Sequence, residues 1–239
     1  MIEATSSRSD TRSRIVDVAA RLLHEQGSAA VTTRGVAKGA GVQAPTIYRL
    51  FGDKDGLLDA VAEHVMATYV STKAAIVEAA SAEDVDPIDD LRAGWEMHID
   101  FGIANPTLSI LLSDPGRGLR SPAARSGKRV LQSRVHRVAL TGRLRVSEQR
   151  AVDLIHAAGT GAVLTLLATP PEQRDPRLAD DLFDAVLRRI VTDAPELPDS
   201  SPVASTVALR AIAPQLNILS DAERQLLTEW LDRAIEVLG

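Results

Sequence analysis

The 239 residues are 45% hydrophobic and 25% charged, enough apolar material for one large or two modest domains and too much for a disordered or fibrous chain. There is no cysteine, which excludes disulfide frameworks, thiolate zinc sites, iron–sulfur clusters and thiol nucleophiles together. The net charge of -5 is unevenly spread: residues 1–56 carry +2 and the other 183 carry -7, so a phosphate-attracting patch on an acidic molecule is possible but mild.

Residues 1–9 are expected to form a disordered arm. Ile15, Val18, Ala19, Leu22 and Leu23 then recur at helical spacing and predict a helix ending at Gly27. Thr32 suits the cap of a short helix over 33–40 with Val36, Ala37 and Ala40 inward, and Gly41 suits the positive φ of a tight turn. A second short helix is predicted over 44–50, with Pro45 tolerated in its first turn. Leu57, Leu58, Val61, Ala62, Val65, Tyr69 and Ile76 draw one stripe along a helix over 54–80, roughly 40 Å long. Proline and glycine punctuation marks further helices over 87–104, 106–113, 121–141, 147–168, 176–191, 203–213 and 221–238. The chain is therefore predicted to be all-α. Residues 193–202 read as a linker, and Ser220 with Glu223 as a capping box for a last helix presenting Leu227, Trp230, Leu231, Ala234, Ile235 and Leu238.

Two short helices about a glycine turn, braced by a longer one, make a helix-turn-helix, whose second helix enters the DNA major groove. Val36, Ala37, Ala40, Val42, Ile47 and Phe51 are expected as its core, leaving Arg34, Gln43, Ala44, Pro45, Thr46, Tyr48 and Arg49 outside. Arg34 suits a bidentate contact to guanine, Gln43 adenine or backbone, and Ala44 and Pro45 a thymine methyl. Thr46, Tyr48 and Lys54 suit phosphates, with Lys54 beside the free amides at the start of the next helix.

The run Thr33-Arg34-x-Val36-Ala37-x-x-Ala40-Gly41-Val42-x-x-x-Thr46-x-Tyr48-x-x-Phe51-x-x-Lys54-x-x-Leu57 resembles the DNA-binding signature of the TetR family of repressors. The resemblance covers about residues 12–60; the rest is similar only in being helical and of suitable length. It implies a homodimer that binds a palindromic double-stranded operator and is released by a small-molecule effector in the C-terminal domain. The expected division is a DNA-binding domain over 10–56 and a ligand-binding and dimerisation domain over 57–239. Two departures stand out. Gly35 and Gly39 sit inside the second helix, each costing about 1 kcal/mol against alanine, and Arg49 and Leu50 replace the aromatic and histidine of the tetracycline repressor, so operator sequence does not carry over.

Other constellations weigh less. Asp180, Asp181 and Asp184 have the DDxxD spacing with which all-α enzymes hold a metal diphosphate, but acids in a first helical turn also suit its dipole. The five histidines form no HExxH pair, and no GxSxG or phosphate loop occurs; no catalytic residue, metal or cofactor is expected. Nine Arg and Lys between 115 and 147 lack any acid, reading either as a face neutralised by neighbouring helices or as attraction for an anionic effector. Ala157, Ala158, Gly159, Gly161 and Ala162 with Leu182, Ala185, Val186 and Ile190 are expected to pack a dimer, Arg189 at its rim. An effector pocket is expected among helices 87–104, 106–113, 121–141 and 147–168, with Trp95, His98 and Phe101 as lining residues; the same three also read as plain core. A regulator answering to a protein partner is a third reading. No run of 18 apolar residues or secretory leader is visible, so the expectation is a cytoplasmic protein without membrane contact.

Overall fold

The computed structural model describes residues 2–27, 30–82, 85–192 and 202–238. In chain order these form α1 (Ile2–Gln26), α2 (Thr33–Ala40), α3 (Ala44–Phe51), α4 (Lys54–Ala82), α5 (Pro87–Ala104), α6 (Pro106–Leu112), α7 (Pro115–Arg120), α8 (Pro122–Leu140), α9 (Glu148–Ala168), α10 (Leu178–Ile190), α11 (Pro202–Ile212) and α12 (Asp221–Leu238). The all-α expectation holds. Helix α1 begins at Ile2 rather than after a disordered arm, and no glycine or proline interrupts the chain from there to Gln26. The linker expected over 193–202 lies outside the described residues except for Pro202, which opens α11.

Periodicity missed α7, because Pro-Gly-Arg-Gly-Leu-Arg is poor in helix formers; Asp114 creates it by accepting from the Arg117 amide at 2.8 Å. A two-residue pairing was also missed. Leu144 bridges antiparallel to Val191, with Arg145 N donating to Ile190 O at 2.8 Å and Thr192 N to Arg143 O at 2.9 Å. It ties the end of α10 to the α8–α9 loop.

The chain divides into two units, each built from two stretches of sequence. Unit 1 comprises residues 1–72 and 104–127, and unit 2 comprises 73–103 and 128–239. The cut falls inside α4, whose Leu57, Val61 and Ala62 belong to the core of unit 1. In unit 1, Ile15, Val18, Ala19 and Leu23 of α1 meet Val36, Ala37 and Ala40 of α2, Ile47 of α3, Leu57 and Val61 of α4 and Leu108 of α6. In unit 2, Leu91, Trp95 and Ile99 of α5 pack with Val135 and Val138 of α8, Ile155 and Val163 of α9, Phe183 and Ile190 of α10, Val207 of α11 and Ile235 of α12.

Two apolar helices differ from expectation. Helix α9 is long and apolar enough to cross a membrane by length and composition, contrary to the reading that no such helix exists, but it places Val152, Ile155, Ala162, Val163 and Leu166 in the core of unit 2. Its apolarity is that of a central core helix. In α12 only Ile235 of the expected stripe is buried; Trp230 and Leu238 are exposed. The Ser220–Glu223 box closes as expected, Ser220 N donating to Glu223 Oε2 at 2.8 Å, and these bonds hold the Glu223 carboxyl below its usual range.

Candidate functional site

Helices α2 and α3 form the expected helix-turn-helix, and each boundary has a local cause. Thr32 Oγ1 accepts from Gly35 N at 3.0 Å and starts α2, while Gly41 at φ 66° and ψ 33° ends it in the left-handed region. The Gly41 amide closes on Lys38 O and the Val42 amide on Ala37 O, turning the chain into α3. Gly39 has a packing reason. A β-carbon there would lie 2.7 Å from Val18 Cγ1, so the glycine lets α2 approach α1 closely. The helix that its glycines make intrinsically weak is held by that contact.

Val36, Ala37, Ala40 and Ile47 are buried, and Val42 and Phe51 are half-buried against them, as the spacing predicts. Arg34, Gln43, Pro45, Tyr48, Arg49 and Lys54 are all exposed, Tyr48 at 53%. Gln43 precedes α3 without spending its amide on a cap. Thr46 is half-buried. Ala44, expected outside, is instead half-buried against the core.

Sequence reasoning missed three participants. Lys38 is exposed in the last turn of α2, and Thr33 Oγ1 lies 3.5 Å from Tyr48 Oη, linking the two short helices. Asp53 caps α4, its Oδ1 accepting from Gly56 N at 2.8 Å. The amides expected to greet a phosphate beside Lys54 are thus partly taken, and Lys54 contributes by charge. The signal for Asp53 was legible, since an Asp before a helix is a favoured cap. Between Glu25 and Asp53 the chain holds no carboxylate but has Arg34, Lys38 and Arg49, so this face is cationic although the molecule is acidic.

In unit 2, Trp95 is buried with its ring 5.1 Å from that of Phe183, and His98 and Phe101 are half-buried. Burial, then Lys73 and His156, lower the His98 pKa to about 4. His98 is not a satisfied core histidine, because its Nε2 has no hydrogen-bond partner. Helix α6, expected beside this region, packs in unit 1 instead. A separate open cavity of about 520 Å³ is lined by Gln132, Glu148, Val152, Arg210, Asp232 and Ile235. It includes none of the expected lining residues, and Arg210 there is spent on Asp232 at 2.7 Å.

The remaining constellations resolve as structure. Asp184 pairs with Arg92 at 2.7 Å while Asp180 and Asp181 are exposed, and among the described residues no three ligating side chains gather to hold a metal. The basic run is largely neutralised: Arg117 pairs with Asp59, Lys128 with Asp153, Arg134 and Arg137 with Asp90, and Arg143 with Asp86. Of the expected dimer residues, Gly159, Ala162 and Ile190 are consumed by the core of unit 2 itself. Ala157, Gly161, Ala185 and Arg189 remain exposed.

Residues 15–61 match the profile of the bacterial regulatory proteins, tetR family. The HTH-type transcriptional regulator BetI of Burkholderia mallei is 30% identical over 126 residues, 52% of this chain and 63% of that protein. The likeness to the tetR-family profile is confined to residues 15–61, the helix-turn-helix region. The BetI match spans less than two thirds of that curated relative. Two solved structures share the fold: the fatty acid degradation regulator FadR from Bacillus halodurans at TM-score 0.56 and 20% identity, over 74% of this chain and 94% of its own, and a regulator from Saccharomonospora viridis in complex with choline at TM-score 0.56 and 17% identity, over 77% and 99%. The curated relative and both solved structures are regulators by name.

Proposed function

We propose that this protein is a dimeric repressor of the TetR family that reads a palindromic operator with α2 and α3 and leaves it when a small molecule occupies unit 2. The observation that carries the reading is the exposed, carboxylate-free face bearing Arg34, Gln43, Pro45, Tyr48 and Arg49 over a closed apolar core. Such a face meets phosphates by charge and base edges by directed donors. Dimerisation uses what α9 and α10 leave uncovered, chiefly Ala157, Gly161, Leu164 and Ala185. A β-carbon on Gly161 would meet nothing within 4 Å, so its side has room for a second copy. The two-fold axis of such a dimer matches the symmetry of a palindrome.

The test is retardation of a fragment from upstream of the protein's own gene across a salt series. Arg34→Ala is expected to cost about 1–3 kcal/mol on the operator and to relax one base position, whereas Lys54→Ala weakens all sequences alike. Each lost phosphate contact flattens the salt slope by about 0.9. If Arg34→Ala weakens operator and random DNA equally, Arg34 is no base reader. A monomeric mass in sedimentation at micromolar concentration sinks the dimer.

A further inference from the structure

The interior of unit 2 contains polar groups that its own fold leaves incomplete. Trp95 and Arg134 are 4% and 1% exposed. Trp95 Nε1, His98 Nε2 and Arg134 Nη2 are sealed from solvent, and none has a hydrogen-bond partner. Buried polar groups in folded proteins are nearly always paired, so three orphans on two adjacent helices call for a missing partner.

The backbone makes room for them. A β-carbon at Gly94 of α5 would lie 2.2 Å from Arg134 Nη1, so the guanidinium lies directly across α5 one residue before Trp95. At Gly159 of α9 a β-carbon would lie 3.0 Å from His98 Cδ2 and 3.3 Å from Trp95 Cζ3. The two rings therefore meet against the same point of α9.

Charge narrows the missing partner. Asp90 accepts from Arg134 Nε at 3.2 Å and from Arg137 Nη1 at 2.9 Å, so one buried carboxylate faces two guanidinium groups. Lys73 adds a third cationic centre; burial and then the Arg134 charge lower its pKa to about 8. Arg137 is engaged further by the Ala80 and Val85 carbonyls at 3.3 and 2.8 Å, whereas Arg134 keeps Nη2 unused. Asp90 is the one buried carboxylate among the described residues, both its oxygens are engaged, and neither meets the three orphan nitrogens. Around it lie aliphatic side chains, among them Ile99, Val135, Ile155 and Val163.

We infer that Trp95, His98 and Arg134 receive the carboxylate head of an amphiphilic acid whose aliphatic body lies among the apolar side chains of unit 2. Two carboxylate oxygens offer enough lone pairs for the Trp95 and Arg134 N–H groups and for His98 in its Nε2–H tautomer, and a guanidinium edge matches them in charge and plane. A quaternary ammonium or an alcohol of the same length fits poorly, the first by charge and the second by supplying one weak acceptor. The inference deepens the regulator reading and depends on it only for the consequence at DNA.

The experiment titrates the full-length protein, without DNA, with decanoate, decanol and decyltrimethylammonium, reading heat of binding and thermal stabilisation. Decanoate is expected to bind at least tenfold tighter than either analogue. Trp95→Phe keeps the aromatic contact with Phe183 and removes one donor; His98→Leu removes another. Each is expected to weaken decanoate 5-fold or more while leaving decanol unchanged. Equal affinity for decanol and decanoate, no decanoate binding, or decanoate binding indifferent to both variants overturns the inference. Failure of the regulator reading looks different: the ligand-free protein then binds no operator although decanoate binding persists.

Discussion

Unit 1 buries Val36, Ala37, Ala40 and Ile47 and, among the described residues, no polar side chain is fully buried in it, whereas unit 2 buries Asp90, Arg134 and Thr192. A small dry core is the cheapest way to hold two short helices in fixed register, and everything unit 1 offers a partner lies on its surface. Unit 2 has a larger apolar core and still takes two opposite charges out of water, which costs stability unless every lone pair and proton is matched. Polar groups retained inside at such a cost point to work done inside. The difference accords with the proposed partners, DNA outside the first unit and a small molecule within the second.

The largest expected effect comes from breaking that contrast at Asp90. Asp90→Ala leaves Arg134 and Arg137 buried beside each other without their shared carboxylate, and is expected to cost about 3–5 kcal/mol in denaturant unfolding. A loss below about 1 kcal/mol would falsify the view that this carboxylate holds the interior of unit 2 together.

Next comes a pH effect confined to unit 2. Folded His98 has a pKa of about 4 against 6.5 for the unperturbed group, with Lys73 and His156 adding to burial. Between these values the unfolded chain binds the proton that the folded one refuses, so stability falls as pH drops from about 6.5 towards 4. The decline is on the order of 3 kcal/mol. His98→Leu should flatten that part of the profile; an unchanged profile assigns the acid sensitivity to other groups.

Unit 1 should respond to shape instead. Gly39→Ala sets a β-carbon 2.7 Å from Val18 Cγ1, and overpacking of about 1–3 kcal/mol outweighs a helix-propensity gain of about 1 kcal/mol. Adding Val18→Ala should recover part of the loss, and simple additivity in that double-mutant cycle would show the two residues do not press on each other. The smallest effect is expected at the cap. Thr32→Ala removes the acceptor for Gly35 N and should lower stability by about 1 kcal/mol, visible as a lower midpoint with unchanged steepness.

How much of this was legible follows from the range of the interactions. Thr32, Gly41 and the Val36–Ala37–Ala40 face act within one turn or across one loop, so spacing alone placed them, and with them the exposed Arg34, Gln43, Pro45, Tyr48 and Arg49. Ala44 was misplaced because a small side chain at a helix start gives no sign of which way it leans. Gly39 looked like a weakness until its contact with Val18, 21 residues earlier in the chain, showed what the missing β-carbon permits. Of the nine cations between 115 and 147, the sequence showed only the absence of local acids; their partners Asp59, Asp86, Asp90 and Asp153 arrive from α4, α9 and the start of α5.

The sequence by itself determined the helical order, the helix-turn-helix and the charge asymmetry, because periodicity, caps and turn glycines are local consequences of residue type. Tertiary structure alone decided that Leu108 of α6 joins the core of unit 1, that Gly159, Ala162 and Ile190 belong to the protomer's interior, and that Trp95, His98 and Arg134 each keep a buried nitrogen without a partner. Packing and electrostatics at that range depend on which distant helices meet. A linear pattern does not encode that meeting residue by residue.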